Sequence, residues 1–394
     1  MMLKKMSILL ASSVLFLSGC FPFLQQREEE MVEVEESNQE DQTVQVVPQV
    51  SNHEDYYQSV LYDGSYLHGQ SRGFGNSVVY NRLDLDQLEL GLASIAQDYF
   101  EPNRYFFREG QYIERDELNS WLMRYNDETN PTGLNPALGE GETMREREEN
   151  RPRYLSHILE HNYLVENEEG NLVLGGVVIG LSMNSVYNFR VEDEQGRYYF
   201  YETPISAEDM QREGERIAQE IVTRLRADTN EEGGIGNVPV VVALFREQPR
   251  ESMIPGNFFA KAIAESGIEL SRWERVNERY YLFPSNEANQ DVRNDAEKFL
   301  RLKEEIQGFF NTYVGVVGRA YYKDNQLQKL TIEVPIRYQG KAEIVALTQF
   351  IADKITQRFP EQLKVQVYVS SVAGKQESII IRNPNEEPFI HVYD

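Results

Sequence analysis

Runs of apolar residues broken by polar turns divide the body of the chain into two stretches with the same predicted order of elements. In the first stretch, residues 175–187 form an apolar, β-branched run that is typical of a buried strand. A polar turn at 192–196 and a returning strand at 198–205 follow. A helix is predicted to begin at Ser206, and residues 238–245 form a closing apolar strand.

The second stretch has the same order. A strand is predicted at 313–318 and a second strand at 331–336, with a turn at 323–325 between them. Apolar residues then recur at helical spacing from 344 to 355. Alternating apolar residues at 363–369 predict the last strand of the chain.

Together the two stretches predict an α+β fold of two tandem related repeats, each an antiparallel or mixed sheet backed by helices. We place the first repeat domain at residues 54–248 and the second at residues 249–394. Amphipathic patterns predict further helices ahead of the two stretches, at residues 83–98, 115–125, 154–164, 257–266 and 296–310.

The amino terminus has the pattern of a lipoprotein leader. Two lysines precede an apolar run at residues 8–17, which is too short to cross a bilayer because a spanning helix needs about 20 apolar residues. Small residues at Ser18 and Gly19 then precede Cys20. We predict a signal peptide over residues 1–19 that is cleaved between Gly19 and Cys20.

Cys20 is the only cysteine of the chain, so no disulfide can form within it. A lone free thiol would be unusual in an exported protein, but lipidation would consume it. Two or more acyl chains on Cys20, palmitate among them, would give a stable membrane anchor. The predicted location is therefore the extracytoplasmic face of the cell membrane, with the membrane contacted through Cys20.

The formal net charge of −25 argues against two classes of partner. Nucleic-acid binding needs a basic surface, and anionic lipid headgroups repel an acidic protein. Acidic residues are concentrated between residues 20 and 53, where no aromatic residue occurs from Phe23 to Tyr56. Such a segment buries too little apolar surface to fold, so we predict a lipidated, acidic and disordered tether over 20–53.

The catalytic and metal-binding motifs that we sought are missing from the sequence. His157 and His161 lie four residues apart on a predicted helix and would share a face, but Glu160 is misplaced for a zinc-protease motif and no third ligand is evident. Neither a serine-nucleophile motif nor a phosphate-binding glycine motif occurs in the body. We therefore predict no catalytic residue, no metal, no cofactor and no enzymatic activity.

An aromatic-rich segment near the start of the body is a candidate ligand groove. Arg72 and Phe74 belong to it, together with tyrosines at positions 56, 57, 62 and 66. We assign Arg72, Phe74 and Tyr187 to this groove. Core or interdomain packing of the same side chains is the alternative interpretation.

Several short motifs carry a resemblance to a known family along essentially the whole chain. They are Ser71-Arg72-Gly73, Gly133-Leu134-Asn135-Pro136, Tyr154-Leu155-Ser156-His157-Ile158-Leu159-Glu160, Gly180-Leu181-Ser182-Met183-Asn184-Ser185-Val186-Tyr187, Thr223-Arg224-Leu225-Arg226, Ile254-Pro255-Gly256-Asn257-Phe258, Leu282-Phe283-Pro284-Ser285, Gly340-Lys341-Ala342-Glu343 and His391-Val392-Tyr393. With these motifs the chain resembles the CamS family of sex-pheromone lipoproteins of Bacillus, Staphylococcus and Enterococcus. The resemblance implies no catalytic residues.

The resemblance also implies a second role for the leader. In that family the cleaved signal peptide is trimmed to a short apolar peptide that acts as a mating pheromone. The corresponding residues here are Met6, Ser7, Ile8, Leu9, Leu10, Ala11 and Ser12. The end of this segment is similar to the pheromone, and its start differs.

Three functions remain open at the level of the sequence. The leading hypothesis is a membrane-anchored lipoprotein whose body is a binding or scaffold module for an unknown extracellular ligand or envelope partner. A solute-binding lipoprotein of a transporter is the second, and it should have parallel βαβ lobes around a cleft. A cell-envelope enzyme is the third, and it should place two carboxylates across a cleft.

Overall fold

The computed structural model describes most of the body of the chain. The residues described are 33–35, 43–48, 56–71, 84–227, 234–309, 314–337 and 340–394. The predicted signal peptide, with its segment 6–12, and the lipidation site Cys20 lie outside the described residues.

The described elements occur as runs of strands separated by one or two helices. In chain order they are β1 (Glu33–Glu35), β2 (Thr43–Val46), β3 (Gln58–Tyr62), β4 (Ser65–Tyr66), α1 (Leu85–Ala96), β5 (Tyr105–Glu109), α2 (Arg115–Leu122), α3 (Met144–Asn150), β6 (Leu155–Glu166), β7 (Leu172–Asn184), β8 (Val186–Glu192), β9 (Tyr198–Pro204), α4 (Ala207–Ala227), β10 (Val240–Glu247), β11 (Asn257–Ala264), β12 (Glu274–Arg275), β13 (Glu278–Phe283), α5 (Asn286–Asp291), α6 (Arg293–Phe309), β14 (Val317–Lys323), β15 (Gln326–Ile336), α7 (Lys341–Arg358), β16 (Lys364–Ser371), β17 (Gln376–Arg382) and β18 (Phe389–Val392).

The strands form two mixed sheets and one separate hairpin. The larger sheet has the order β1-β2-β3-β5-β6-β7-β10-β11-β12, with β4 paired to β3. Its neighbours are antiparallel except for the pairs β3–β5 and β7–β10. The smaller sheet has the order β13-β14-β15-β16-β17-β18, and only β15–β16 is parallel. Strands β8 and β9 pair only with each other within the described residues.

Helices cover both faces of the larger sheet. Leu88 and Leu92 are one turn apart on α1 and pack on the face that carries Val178 of β7. Ile221 of α4 packs on the opposite face, with Val177. Because successive strand residues point to opposite faces, β7 is apolar at consecutive positions along its central part.

The contact between the sheet and the segment after α1 is close enough to require glycine. A Cβ atom built on Gly176 would lie 2.2 Å from Cζ of Phe100, whose side chain is itself buried. No side chain fits at that separation, so Gly176 allows the Phe100 ring to lie directly on β7.

The smaller sheet has one large apolar cluster with helices α6 and α7. Phe299 and Ile306 of α6 pack in it together with Ile351 of α7. At the carboxyl end of α7, the buried side chain of Arg382 donates hydrogen bonds to backbone carbonyl oxygens, which are those of Ile355, Phe359, Pro360 and Leu363 at 2.7 to 3.3 Å. Arg382 thereby satisfies carbonyl groups that the end of a helix leaves without partners.

The two sheets meet where β11 faces β13. The Asn257 side-chain amide donates to the carbonyl oxygen of Glu278 at 3.1 Å, and the backbone N–H of Phe258 donates to the Glu278 carboxylate at 3.3 Å. The backbone N–H of Gly256 donates to the Asp84 carboxylate at 2.8 Å, which ties the loop before β11 to the start of α1.

Two predicted helices are wrong. The segments 154–164 and 257–266 form strands β6 and β11. Both faces of β6 are buried, so apolar residues occur at both odd and even positions, and this pattern imitates helical spacing. In β11 the buried residues Phe258, Ala260 and Ala262 alternate, which is a strand pattern that the small size of alanine obscured.

The predicted disordered tether is wrong at its carboxyl end. Strand β2 lies within residues 20–53 and pairs with β3. Val44 and Val46 are buried against Val60, because alternate residues of β2 face one side. The larger sheet therefore begins earlier in the chain than the predicted boundary at residue 54.

The structure also changes the predicted relation between the two halves. The returning strand of the first stretch is β9, outside the large sheet, whereas residues 331–336 belong to β15 in the centre of the smaller sheet. The predicted boundary at 248/249 separates β10 from its neighbour β11. Segment 363–369 is not the last strand, since β17 and β18 follow.

The predicted fold class is confirmed in its coarser form, as a mixed α+β protein with large mixed sheets backed by helices. The helices expected at 83–98, 115–125 and 296–310 are present as α1, α2 and α6. In the part of the chain that the structure describes, no helix combines the length and apolarity needed to cross a bilayer.

Candidate ligand-binding cavity

A cavity of about 530 Å³ lies beside α1, at the point where β5 ends and leaves the edge of β6 uncovered. Its floor is formed by His157, Leu159 and His161, which alternate along β6 and so face the same side. Leu85 and Ala93 of α1 form one wall. A volume of this size is in the range of small-molecule sites.

The opposite wall comes from the tyrosine-rich segment near the start of the body. Tyr56, Tyr57 and Tyr66 line the cavity. The hydroxyl of Tyr57 donates to the carbonyl oxygen of Phe100 at 2.5 Å, which holds the Tyr57 ring against the larger sheet. Burial raises the pKa of the Tyr57 hydroxyl, so this group stays a neutral donor at physiological pH.

The mouth of the cavity exposes an apolar patch. Four large side chains that line the cavity are partly exposed to solvent: Tyr56 (49%), Tyr66 (39%), Leu85 (38%) and Leu90 (59%). Single exposed apolar residues are common on protein surfaces, but a group of large ones around a concave opening is typical of a binding site.

The two histidines on the floor are buried and uncharged. Burial lowers the pKa of His157 to about 4 and the pKa of His161 to about 3. Neither ring has a hydrogen-bond partner among the described residues, and both Nδ1 atoms are fully buried. Since the fully buried Nδ1 atoms are out of reach, a ligand in the cavity would contact the neutral imidazoles through their other ring nitrogen, Nε2, which can donate or accept.

Glu160, which also lines the cavity, has a different role from the histidines. Its buried carboxylate accepts hydrogen bonds from the backbone N–H groups of Gln111, Tyr112 and Ile113 at 2.8 to 3.1 Å, and from the amide of Asn162 at 2.6 Å. Burial raises the pKa of Glu160, and these hydrogen bonds oppose that effect. Glu160 therefore fixes the turn between β5 and α2 against β6 and shapes the cavity edge.

The structure brings together only part of the predicted groove. Arg72 and Phe74 lie outside the described residues. Tyr187 does not line the cavity: it is buried on β8, in the cluster on the α4 face, and its hydroxyl donates to Glu148 at 2.8 Å. Tyr62 is buried in a separate cluster, where its hydroxyl accepts a hydrogen bond from Arg108 at 2.7 Å.

His157 and His161 do share a face, but on a strand and not on the predicted helix. In the described part of the chain, no group of three or more His, Cys, Asp or Glu residues is placed to hold a metal ion.

One feature of the sequence could have indicated this cavity. Leu85 and Leu90 lie outside the buried stripe of α1, which means that α1 carries apolar residues on a second face.

Comparisons with known proteins agree on one family. The model of the family described as CamS sex pheromone cAM373 precursor matches residues 66–388. The crystal structure of a sex pheromone precursor from Lactobacillus salivarius subsp. salivarius UCC118 is similar, with 30% sequence identity and a TM-score of 0.79. That alignment covers 89% of this chain and 99% of the other.

The C-terminal domain of the sex pheromone staph-cAM373 precursor from Staphylococcus aureus is also similar, with 26% identity and a TM-score of 0.65 over 78% of this chain and 96% of that one. No curated protein matches the chain. The family match covers most of the sequence, and the resemblance inferred from the short motifs is confirmed. The chain therefore belongs to the CamS family of sex pheromone precursors.

Proposed function

We propose that this CamS-family protein is a lipid-anchored protein of the extracytoplasmic face whose body binds a small, largely apolar ligand in the cavity between α1 and β6. One observation carries the binding function: four large apolar side chains are exposed around the mouth, and two unpaired, neutral histidines lie on the floor. This combination of apolar walls and a few polar groups is typical of small-molecule sites.

The lining restricts the chemistry of the ligand. The tyrosine and leucine side chains favour an apolar body. The histidines favour a hydroxyl or amide group at its buried end, because a neutral imidazole can donate to it or accept from it. Glu89 and Glu109 line the same cavity and disfavour a negatively charged ligand.

The anchor belongs to the same proposal. Cys20 would carry the acyl chains after cleavage behind Gly19, and the leader segment Met6–Ser12 would be released as a pheromone-like peptide. The family supports this role because its members are pheromone precursors. A synthetic peptide of residues 6–12 should induce clumping in a responsive recipient strain, and no response to it would refute the leader's role without affecting the cavity.

The two alternative functions have less support. A transporter's solute-binding protein was expected to have parallel βαβ lobes, whereas only three strand pairs among the described residues are parallel. Glu160 and Glu109 line the cavity, but the contacts of both carboxylates with backbone N–H groups fit a structural role. We therefore propose binding and not catalysis.

The tandem-repeat interpretation is also a proposal. Strands β6-β7-β10-β11 and β14-β15-β16-β17 have the same pairing pattern, antiparallel, then parallel, then antiparallel. We propose that the repeats correspond through these four strands, with a domain boundary between β12 and β13.

The cavity can be tested with N-phenylnaphthylamine, an uncharged fluorophore that brightens in apolar sites. The mature chain should bind it, and Ala93→Phe should abolish binding because the ring would fill the cavity beside α1. Ser94→Phe is the matched control, since Ser94 is the next residue, is exposed and does not line the cavity. Equal binding by the Ala93→Phe variant and the unsubstituted chain would refute the proposed site.

A further inference from the structure

A second cavity, of about 1200 Å³, lies between the two sheets. We call it the intersheet cleft; most of its lining comes from β10 to β13 and from α5, and β8, α4 and β14 contribute the rest. It shares no lining residue with the cavity beside α1. Three arginines line it, Arg246 from β10, Arg275 from β12 and Arg279 from β13.

Arg246 is the arginine whose hydrogen-bonding capacity is unused. Its guanidinium carbon lies 5.6 Å from the ring centroid of Phe259, so one face of the group is covered by a cation–π contact. The five N–H donors of a guanidinium lie in its plane and are not satisfied by such a contact. Among the described residues the side chain of Arg246 has no hydrogen bond and no ion pair, and its Nε atom is fully buried.

The charges around Arg246 are repulsive. Burial lowers the pKa of Arg246, and the nearby charges of Arg279 and Arg275 lower it further. Arg279 is neutralised by Glu287 at 2.8 Å and by Asp291 at 3.0 Å. Arg275 has no carboxylate within ion-pair distance in the part of the chain that the structure describes.

The other carboxylates of the cleft have partners elsewhere. Glu274 lies 3.7 Å from the amino group of Lys261. Glu278 accepts a hydrogen bond from the N–H of Phe258 at 3.3 Å, at the contact between the sheets. Four carboxylates and three arginines line the cleft, and Arg246 and Arg275 are the two of these arginines that no carboxylate of the described residues pairs.

We propose that the intersheet cleft binds the phosphate group of an anionic ligand, held by Arg246 and Arg275. A phosphate presents several oxygens and up to two negative charges, so it can accept hydrogen bonds from two guanidinium groups that approach from different strands. Trp273 and Tyr280 line the same cleft and can pack against an uncharged part of the ligand.

The test is calorimetric titration of the soluble mature chain, carrying Cys20→Ser, with inorganic phosphate and with glycerol phosphate. Both should bind, and Arg246→Gln should weaken binding roughly tenfold or more, because a charge-assisted contact is lost. Arg275→Gln should weaken it severalfold. Arg272→Gln is the control: this exposed arginine does not line the cleft, and its loss should leave the affinity unchanged.

Other outcomes would overturn the proposal. The proposal is refuted if neither phosphate produces binding heat. It is also refuted if Arg275→Gln binds phosphate with unchanged affinity, or if acetate binds more tightly than phosphate. Arg275 is exposed on a two-residue strand, so its substitution tests the site even if Arg246→Gln fails to fold.

Vesicles identify the source of the phosphate. One outcome is that the chain cosediments with phosphatidylglycerol vesicles and not with phosphatidylcholine vesicles. If Arg246→Gln abolishes that cosedimentation, the site is assigned to a lipid headgroup. Binding of glycerol phosphate without such cosedimentation would assign it to a soluble or polymeric phosphate. N-phenylnaphthylamine binding should be unchanged in Arg246→Gln, so failure at one cavity is distinguishable from failure at the other.

Discussion

His161 lies edge-on against Phe107, with ring centroids 4.9 Å apart and an angle of 86° between the planes. Phe107 comes from β5 and His161 from β6, two neighbouring strands of the larger sheet. The aromatic contact and the burial keep the imidazole in an apolar environment, which favours its neutral form.

Acid should therefore destabilise the protein through His161. Its folded pKa, about 3, lies below the ordinary value of 6.5, so the unfolded chain binds the proton more readily. The stabilisation is present above pH 6.5 and is lost as the pH falls towards 3. We expect His161 to contribute about 2 kcal/mol to the loss of unfolding free energy between pH 7 and pH 5.

Urea unfolding at the two pH values measures this loss. The His161→Gln variant should show a pH dependence that is smaller by that amount, because glutamine does not titrate. His391→Gln is the control, since His391 is exposed on β18. An identical pH dependence in the unsubstituted chain and in His161→Gln would show that His161 is not held neutral by the fold.

Replacing Gly176 should damage the core beneath α1. The new Cβ atom of Gly176→Ala would lie 2.2 Å from the Phe100 ring, so the ring must move. We expect a loss of about 1–3 kcal/mol in unfolding free energy, typical of an overpacked core. Phe100→Leu in the same chain should recover part of the loss, as measured by a double-mutant cycle.

Gly308→Ala is the control for that substitution. Gly308 lies in α6, and nothing lies within 4 Å of its added Cβ atom. Alanine should raise the unfolding free energy there by up to about 1 kcal/mol, because it is the better helix former. Equal effects at Gly176 and Gly308 would contradict the close packing of Phe100 on β7.

Arg382→Met should strongly destabilise the smaller sheet. Methionine fills a similar volume but leaves unpaired the buried carbonyl groups that Arg382 now satisfies at the end of α7. We expect a loss of about 3 kcal/mol or more, since each unsatisfied buried group costs roughly 1–3 kcal/mol. Thermal unfolding followed by circular dichroism measures it.

Arg358→Met is the neighbouring control. Arg358 ends the same helix, but its partner is Glu305 in a partly exposed ion pair. Such pairs contribute about 1 kcal/mol or less. If Arg358→Met destabilises as much as Arg382→Met, the carbonyl contacts are not the reason for the effect.

Cys20→Ser should release the protein from the membrane. Serine has no thiol to acylate, and the net charge of −25 opposes general adsorption of the body to anionic lipid. Fractionation of cells and medium measures the shift, and Ser18→Ala, which keeps a small residue before the cleavage site, should leave the protein on the membrane. A leaderless Cys20→Ser chain that still sediments with membranes when Arg246 is also replaced by glutamine would contradict the anchor.

The sequence by itself determined the elements whose apolar residues face one side. Helices α1 and α6 were predicted because their buried residues form one stripe, and the turn at Asp324 and Asn325 because its residues tolerate the positive φ angles observed there. The family was also visible in the sequence, since short motifs keep their identity without any knowledge of the fold.

Only the tertiary structure decided that residues 155–166 form a strand, β6, and that this strand forms the floor of the cavity. Both faces of β6 are covered, so its period could not separate a strand from a helix. The cavity joins Tyr57 to His161, about a hundred residues apart in the chain, because β5 pairs with β3 on one side and with β6 on the other. Sheet pairing sets such distant neighbours, and local sequence does not record it.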